Sequence, residues 1–465
     1  MSTPLKATLL AAALLVLPAL APAAEQPFAS TYRAVASAPV LIRNATVLTG
    51  SGARLEGADV LMRDGRIAGV GVDLDAGDAT VVDGTGKWVT PGIIDVHSHL
   101  GVYPSPSTES HSDGNEVTAP VTAQVWAEHG VWPQDPGFAT ALAGGVTSMM
   151  ILPGSANLIG GRGTVLKNVA ATTMQDMKFP GAPHGLKMAC GENPKRVYGE
   201  RGQSPMTRMG NLAGYRAAFI EAQAYRRAWD KYEAGQADTG KQKKKKKGDE
   251  SAAEPPTRDL RLDTLAGALR GEITVQIHCY RADEMALMID LAREFDFKIA
   301  AFHHGVEAYK LADTLAAEGI CGALWADWWG FKMEAYDGIQ ENIALVDRPD
   351  KGCAIVHSDS PESIQRLNQE AAKVMVRGER VGLKLPPERA IRWLTTNAAR
   401  AIGIADQTGE LAQGKMADVV VWNGNPFSVY AKAEKVYVDG ALLHDLNDAS
   451  RRPVTDFMLG QEVAP

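Results

Sequence analysis

Three observations predict an α/β fold, a (β/α)8 barrel of the TIM type carrying a small β-sandwich built from both chain ends. Apolar strand-like runs alternate with helix-like runs through the middle of the chain. Eight such strands can be counted. Short β-type runs divided by Gly and Asp turns occupy both flanks. Strand–helix alternation at this spacing specifies a parallel sheet, and eight strands can close one.

The 465 residues are 45% hydrophobic and 22% charged, enough to bury a large core. At the N-terminus, Lys6 precedes an apolar Ala/Leu-rich run over 7–20, and Ala21-Pro22-Ala23 offers small residues before a cut at Ala24. This pattern reads as a secretory signal over 1–23, and the run is shorter than the ~20 residues of a membrane span. The mature protein is therefore expected in the periplasm or outside the cell, with no integral membrane segment.

After the signal, 24–90 is the first part of the sandwich, with strands at 40–48, 57–62, 66–70 and 79–83 separated by turns such as Asp64-Gly65 and Asp83-Gly84. The barrel is expected over 91–404. Its strands are placed at 93–97, 146–151, 164–169, 186–190, 273–278, 298–302, 320–325 and 353–357, with helices at 283–295, 307–318 and 362–375 between them. A helix over 206–234 leads into a Lys-rich insertion at about 235–257, whose pentalysine run cannot bury enough apolar surface to order itself. The remainder, 405–465, returns to the sandwich with strands at 409–411, 417–422 and 436–440.

Composition narrows the partners. A formal net charge of −7 with no basic face argues against nucleic acid. A small-molecule substrate is the expected partner, and a homo-oligomer stays compatible with the sequence. The four cysteines, Cys190, Cys279, Cys321 and Cys353, form no C-x-x-C pair and sit in or beside apolar strands, so buried free thiols are expected.

The chemistry gathers at strand ends. Pro91-Gly92-Ile93-Ile94-Asp95-Val96-His97-Ser98-His99 is an apolar strand entered through a Pro-Gly turn and closed by two histidines of equal parity, which point to one side. The fifth strand ends in His278, the sixth in His303 and His304, and the eighth in His357-Ser358-Asp359. In barrels of this kind functional groups collect at the C-terminal strand ends. Four imidazoles and a carboxylate from separate strands make a site for one or two divalent ions, Zn first, with Mn or Fe as alternatives.

On these residues the chain resembles the amidohydrolase superfamily over essentially the whole mature sequence. The His-x-His after Pro-Gly-Ile-Ile-Asp is similar to that superfamily's first-strand motif. The run Gly409-Glu410-Leu411-Ala412-Gln413-Gly414-Lys415-Met416-Ala417-Asp418-Val419-Val420-Val421 resembles its returning β-segment. The imidazolonepropionase-like and prolidase-like branch is the nearest in look. The resemblance implies that His97 and His99 hold the more buried metal, that His278 and His304 hold a second metal or the substrate, and that Asp359 binds metal and acts as general base. His304 is preferred to His303 because the run from His304 to Lys310 leaves the strand as that branch does.

Many relatives bridge two metals with a carbamylated lysine, others with a glutamate. Here Lys187 opens the fourth strand and Glu192 follows it. Five strand residues span roughly 16 Å, beyond a lysine's reach, and the two positions differ in parity. The reading therefore favours Glu192 as ligand and puts Lys187 on the outer wall or below the site. Around the mouth, Tyr103, Arg162, Trp325, Trp328 and His357 are candidate substrate contacts, with Trp329, His111 and Asn157 nearby. Arg162 could pair with a substrate carboxylate, and the tryptophans suit a partly apolar substrate.

The expected function is metal-dependent hydrolysis of a C–N bond in an amide, cyclic amide or dipeptide. A deaminase of the same superfamily and a catalytically silent ligand-binding barrel in the periplasm are the alternatives.

Overall fold

The computed structural model describes residues 28–105, 107–241, 254–328 and 330–451. The expected signal segment, the pentalysine run and Trp329 lie outside the described residues. Among the described residues, sixteen strands form two eight-stranded sheets. The first uses β1 (Val40–Leu48), β2 (Arg54–Arg63), β3 (Arg66–Gly71), β4 (Thr80–Asp83) and β5 (Trp88–Pro91). The barrel sheet follows with β6 (Ile93–Ser98), β7 (Val146–Ile151), β8 (Ile159–Lys167), β9 (Gly185–Ala189), β10 (Thr274–His278), β11 (Ile299–His303), β12 (Cys321–Leu324) and β13 (Ala354–Val356). The chain then returns to the first sheet through β14 (Val419–Trp422), β15 (Ala433–Val438) and β16 (Ala441–Asp445).

Barrel strands neighbour one another in chain order, and every residue of β6 and β7 is buried. That burial on both faces explains the continuous apolar runs in place of alternation. Gly92 lets β6 start close against β7, since a Cβ there would lie 2.0 Å from Thr147 Oγ1. The third barrel strand differs from expectation. It begins at Ile159, and it runs antiparallel to both β7 and β9. Only residues 152–158 connect β7 to β8, and a parallel return needs a crossover of about a dozen residues. The short link forces the reversal.

The end strands β6 and β13 meet through the residues just past β13. Asp359 N–H donates to the His97 carbonyl at 3.1 Å, and Ser358 N–H to Asp95 Oδ1 at 3.2 Å. The helix expected over 206–234 is found as Arg208–Lys241. It runs past Gly235 and Gly240 into the segment read as a loop, since each glycine costs a helix only about 1 kcal/mol.

The chain ends make one continuous sheet in the order β16-β15-β14-β5-β1-β2-β3, with β4 also on β1. Val47, Val60, Val89, Val419 and Tyr437 pack into a single core on its inner face. The cysteines are not free thiols. Cys190 bonds Cys279, and Cys321 bonds Cys353. The register explains both pairs. Ala189 lies opposite His278, so the next residues, Cys190 and Cys279, come to a Cα separation of 5.1 Å. Gly322 lies opposite Ala354, so the preceding pair meets at 4.6 Å.

The two sheets are clasped by Lys167 at the end of β8. Its buried ammonium lies 2.8 Å from Asp418 Oδ1 and 3.0 Å from Asp439 Oδ1, and Tyr32 Oη–H donates to Asp439 Oδ2 at 2.5 Å. Removing the cation strands two buried carboxylates. Lys167→Met is expected to lower the unfolding free energy by about 3–5 kcal/mol, read by urea denaturation with activity assayed separately.

Candidate metal centre

Three strand ends bring four side chains to one rim. His97 lies inside β6, His99 just past it, His304 just past β11 and Asp359 three residues past β13. Asp359 Oδ1 is 3.1 Å from His99 Nε2 and 3.5 Å from His97 Nε2, while its Oδ2 is 3.7 Å from His304 Nε2. His97, His304 and Asp359 each offer one ligand atom within 4.8 Å of the others, the spacing of donors around one cation. The His278 ring lies 4.8 Å from that of His304, so it borders the same rim.

Hydrogen bonds fix which nitrogen faces the centre. Gln276 Nε2 donates to the Ala401 carbonyl at 2.9 Å, which leaves Oε1 as acceptor for His303 Nε2–H at 2.8 Å. His303 Nδ1 then holds a lone pair and accepts Nδ1–H of His97 at 2.9 Å. The Nε2 lone pair of His97 is thereby aimed at the centre. His99 donates Nδ1–H to the Leu152 carbonyl at 2.8 Å, freeing its own Nε2. His303 is thus a positioning residue one layer down, and His304 is the rim donor.

Burial, with Lys187 and the neighbouring imidazoles adding repulsion, holds His97, His278, His303 and His304 well below the usual histidine range. Burial likewise pushes His357 down to about 4. All five stay neutral at pH 7 and keep the lone pairs a transition metal needs. The buried Nδ1 of His278 has no hydrogen-bond partner among the described residues. Neutral His97 and His304, beside a carboxylate that reaches both and His99 as well, fit a divalent ion.

His304 and Asp359 both adopt left-handed backbone, with φ of 62° and 52°. Such conformations are uncommon outside glycine and cluster where function demands them. They turn two side chains inward at points where regular strands would carry them past the rim.

The bridging position needs correction. Glu192 opens the helix Glu192–Gly199, its N–H is taken by Glu334, and its carboxylate lies 3.1 Å from Lys332 Nζ. Lys187 is buried inside the barrel instead, with Nζ 3.3 Å from His97 Nε2 and donating to the Pro153 carbonyl at 2.9 Å. The reach argument counted five strand residues, but β9 ends at Ala189 and the chain turns at Gly191 with φ of 79°. Lys187 therefore sits only two residues below the rim. Burial pushes its pKa down to about 7.

Arg162 is also displaced. It lies within β8, its guanidinium stacks 4.2 Å over Trp126, and Nε donates to Thr264 Oγ1 at 2.7 Å, away from the rim. Asn157 is a buried hub that ties Glu116, Ala119, Thr122 and Tyr198 together. His111 packs on Trp132. Tyr103 lies beside His99 at 5.6 Å, donates to Asn115, and shares with His99, Asp359 and Glu362 a cleft of about 470 Å³. Trp325 stacks on His304 at 4.3 Å, Trp328 stacks on Trp325 at 5.2 Å, and His357 Nε2 lies 3.1 Å from His304 Nδ1. Lys187 was weighed in the sequence and placed outside the site, while Gln276 and Ser358 were given no role there. The equal parity of Gln276 with His278 was the available signal for one of them.

The fold and site define a barrel with a His/Asp centre suited to a divalent ion. Comparison with known proteins gives the same class. The amidohydrolase family pattern matches residues 337–450. A solved amidohydrolase from Thermotoga maritima MSB8 is 38% identical, with a TM-score of 0.76 over 87% of this chain and 100% of its own. Amidohydrolase tasK of Hapsidospora irregularis is 34% identical over 444 residues, 88% of this chain, and the chain spans 43% of that protein's length. Imidazolonepropionase of Chromobacterium violaceum is 26% identical over 79% of this chain and 86% of its own. The chain belongs to the amidohydrolase family.

The buried histidines set a pH dependence. Their folded pKa values lie below the unfolded value of about 6.5, so the unfolded chain binds more protons below that pH and the metal-free protein is destabilised as pH falls. Each contributes up to about 1.4 kcal/mol per pH unit. Asp95, raised to about 7 by burial, opposes them over the same interval. Urea unfolding at pH 7, 6 and 5 is expected to show a steep net loss, and a flat series would mean that the imidazoles are charged in the native protein.

Proposed function

We propose that this chain is an exported, metal-dependent hydrolase that cleaves an amide C–N bond of a small substrate, with Asp359 as general base. The observation that carries this reading is the convergence of the His97, His99 and His304 donors on Asp359. The named relatives support the same bond class, since an imidazolonepropionase is among them. Two disulfides support export, because such bonds persist in oxidising compartments.

His97, His99, His304 and Asp359 would hold the ion, with His278 beside them, and the nitrogen-rich donor set favours Zn. A bound divalent ion supplies water acidified toward pKa ~7 and a polarised carbonyl. Asp359 stands half-buried on the open side of the rim, where its carboxylate can accept a proton from the attacking water and return it to the leaving nitrogen. Hydrolysis adds one water across the amide and yields a carboxylate and an amine. The His97–His303–Gln276 relay keeps the imidazole oriented as charge develops. His357 does the same for His304.

Lys187, with its ammonium made easy to deprotonate, is the chain's best group for a bridging carbamate, which requires a neutral amine. Lys187→Ala is expected to lower the metal-to-protein ratio by elemental analysis, while Glu192→Ala leaves it unchanged; the reverse result would return the bridge to Glu192.

Asp359→Asn is expected to keep the fold and to cut kcat by about 10²–10⁴ on whichever amide the metal-loaded enzyme turns over. Amides, cyclic ureides and dipeptides assayed with added Zn or Mn provide the measurement. Retained turnover in the variant would remove Asp359 as the base, and ammonia released together with an oxo product in place of a carboxylate would indicate deamination.

A further inference from the structure

The loop after β12 carries an aromatic series that leads outward from the metal centre. Trp325 stacks on His304, Trp328 stacks on Trp325, and Phe331 stands edge-on to Trp325 at 5.9 Å. Tyr280, one residue past the disulfide at the end of β10, packs at 6.0 Å from Trp325 and 4.7 Å from His278. The inner rungs are buried, but Trp328 is 42% and Phe331 56% exposed, an outlay of apolar surface that packing alone does not need.

At the foot of this series stands one ammonium. Lys332 Nζ lies 4.2 Å over the Tyr280 ring, 3.2 Å from Asn193 Oδ1 and 3.1 Å from Glu192 Oε1. The Asn193 amide nitrogen is in turn 3.5 Å from His278 Nε2. Lys332 is therefore one side chain away from the rim by either route. Its side chain is 20% exposed and the Glu192 side chain 34%, so the pair opens to solvent. Glu334 lies behind at 3.9 Å, buried and anchored by Arg208 and the Glu192 N–H. Glu192 thus presents a half-buried carboxylate to a fixed cation at the mouth, and it can swing away at low cost because the first turn of its own helix still favours its charge.

We propose that a substrate carboxylate replaces Glu192 on Lys332 while an apolar or aromatic acyl group lies along Trp325, Trp328 and Phe331, so that the substrate class is the N-acyl amino acid. This rests on the amide-hydrolase reading above and names the substrate for that site. Lys332, on the loop after β12, takes the role first assigned to Arg162, and Asn193 adds a hydrogen bond from the other side of the mouth. The aromatic rungs pay their exposure back only when an apolar group covers them.

The test compares N-aroyl amino acids with their C-terminal primary amides on the metal-loaded protein. A charge-assisted hydrogen bond is worth about a tenfold change in binding. Lys332→Met is expected to raise KM for the acids about tenfold while leaving kcat and the KM for the amides within about twofold. Glu192→Gln is expected to lower KM for the acids alone. If Lys332→Met penalises acids and amides equally, Lys332 is only a strap for the loop and the proposal falls. If the wild-type enzyme turns over none of these compounds, the hydrolase reading fails for them. Calorimetric titration of the same acid into wild type and Lys332→Met then decides the subsite independently. A roughly tenfold weaker Kd in the variant upholds it, and equal Kd values overturn it.

Discussion

The structure depends on the clasp between Asp95 and Ser358. The barrel sheet ends at β6 on one side and β13 on the other, and the carboxylate of Asp95 accepts both N–H and Oγ–H from Ser358 across that seam. The next residue, Asp359, is pinned by its own N–H to the His97 carbonyl. One fully buried acid therefore closes the barrel and sets Asp359 against the two histidines of the first strand. Burial raises Asp95 to about 7 even with three hydrogen bonds opposing the rise, which measures how costly an unpaired carboxylate would be there.

Orientation of the donors begins below the rim. The Ala401 carbonyl fixes the Gln276 amide, the amide fixes the His303 tautomer, and His303 fixes that of His97. Each link is a choice between donor and acceptor that leaves the next no freedom. The clasp positions the centre and the relay polarises it. Lys167, joining Asp418 and Asp439 beneath, keeps the barrel seated on the sheet made by the chain ends.

Much of this was legible in the sequence because strand ends leave local marks. His97, His99, His278, His304 and Asp359 each follow an apolar run, and the barrel topology alone brings such ends together. What could not be read depended on where strands stop and which way they run. The turn at Gly191 removes Glu192 from the strand and leaves Lys187 just below the rim. The reversal of β8 puts Arg162 inside a strand, facing Thr264, where a loop residue had been expected. The disulfides needed the β9–β10 and β12–β13 registers, which no periodicity encodes. The continuation of the long helix to Lys241 carries it past Gly235, where the sequence had suggested its end, and past Gly240.

The left-handed turns at His304 and Asp359 carry a consequence for how the family member can change. Histidine and aspartate tolerate this region better than most side chains, yet glycine alone enters it without a Cβ penalty, so a change to glycine relaxes the main chain while emptying the centre. Retaining an imidazole and an acid there is a burden on folding that only chemistry repays. A descendant freed from catalysis would be expected to shed these two first and become sturdier for it.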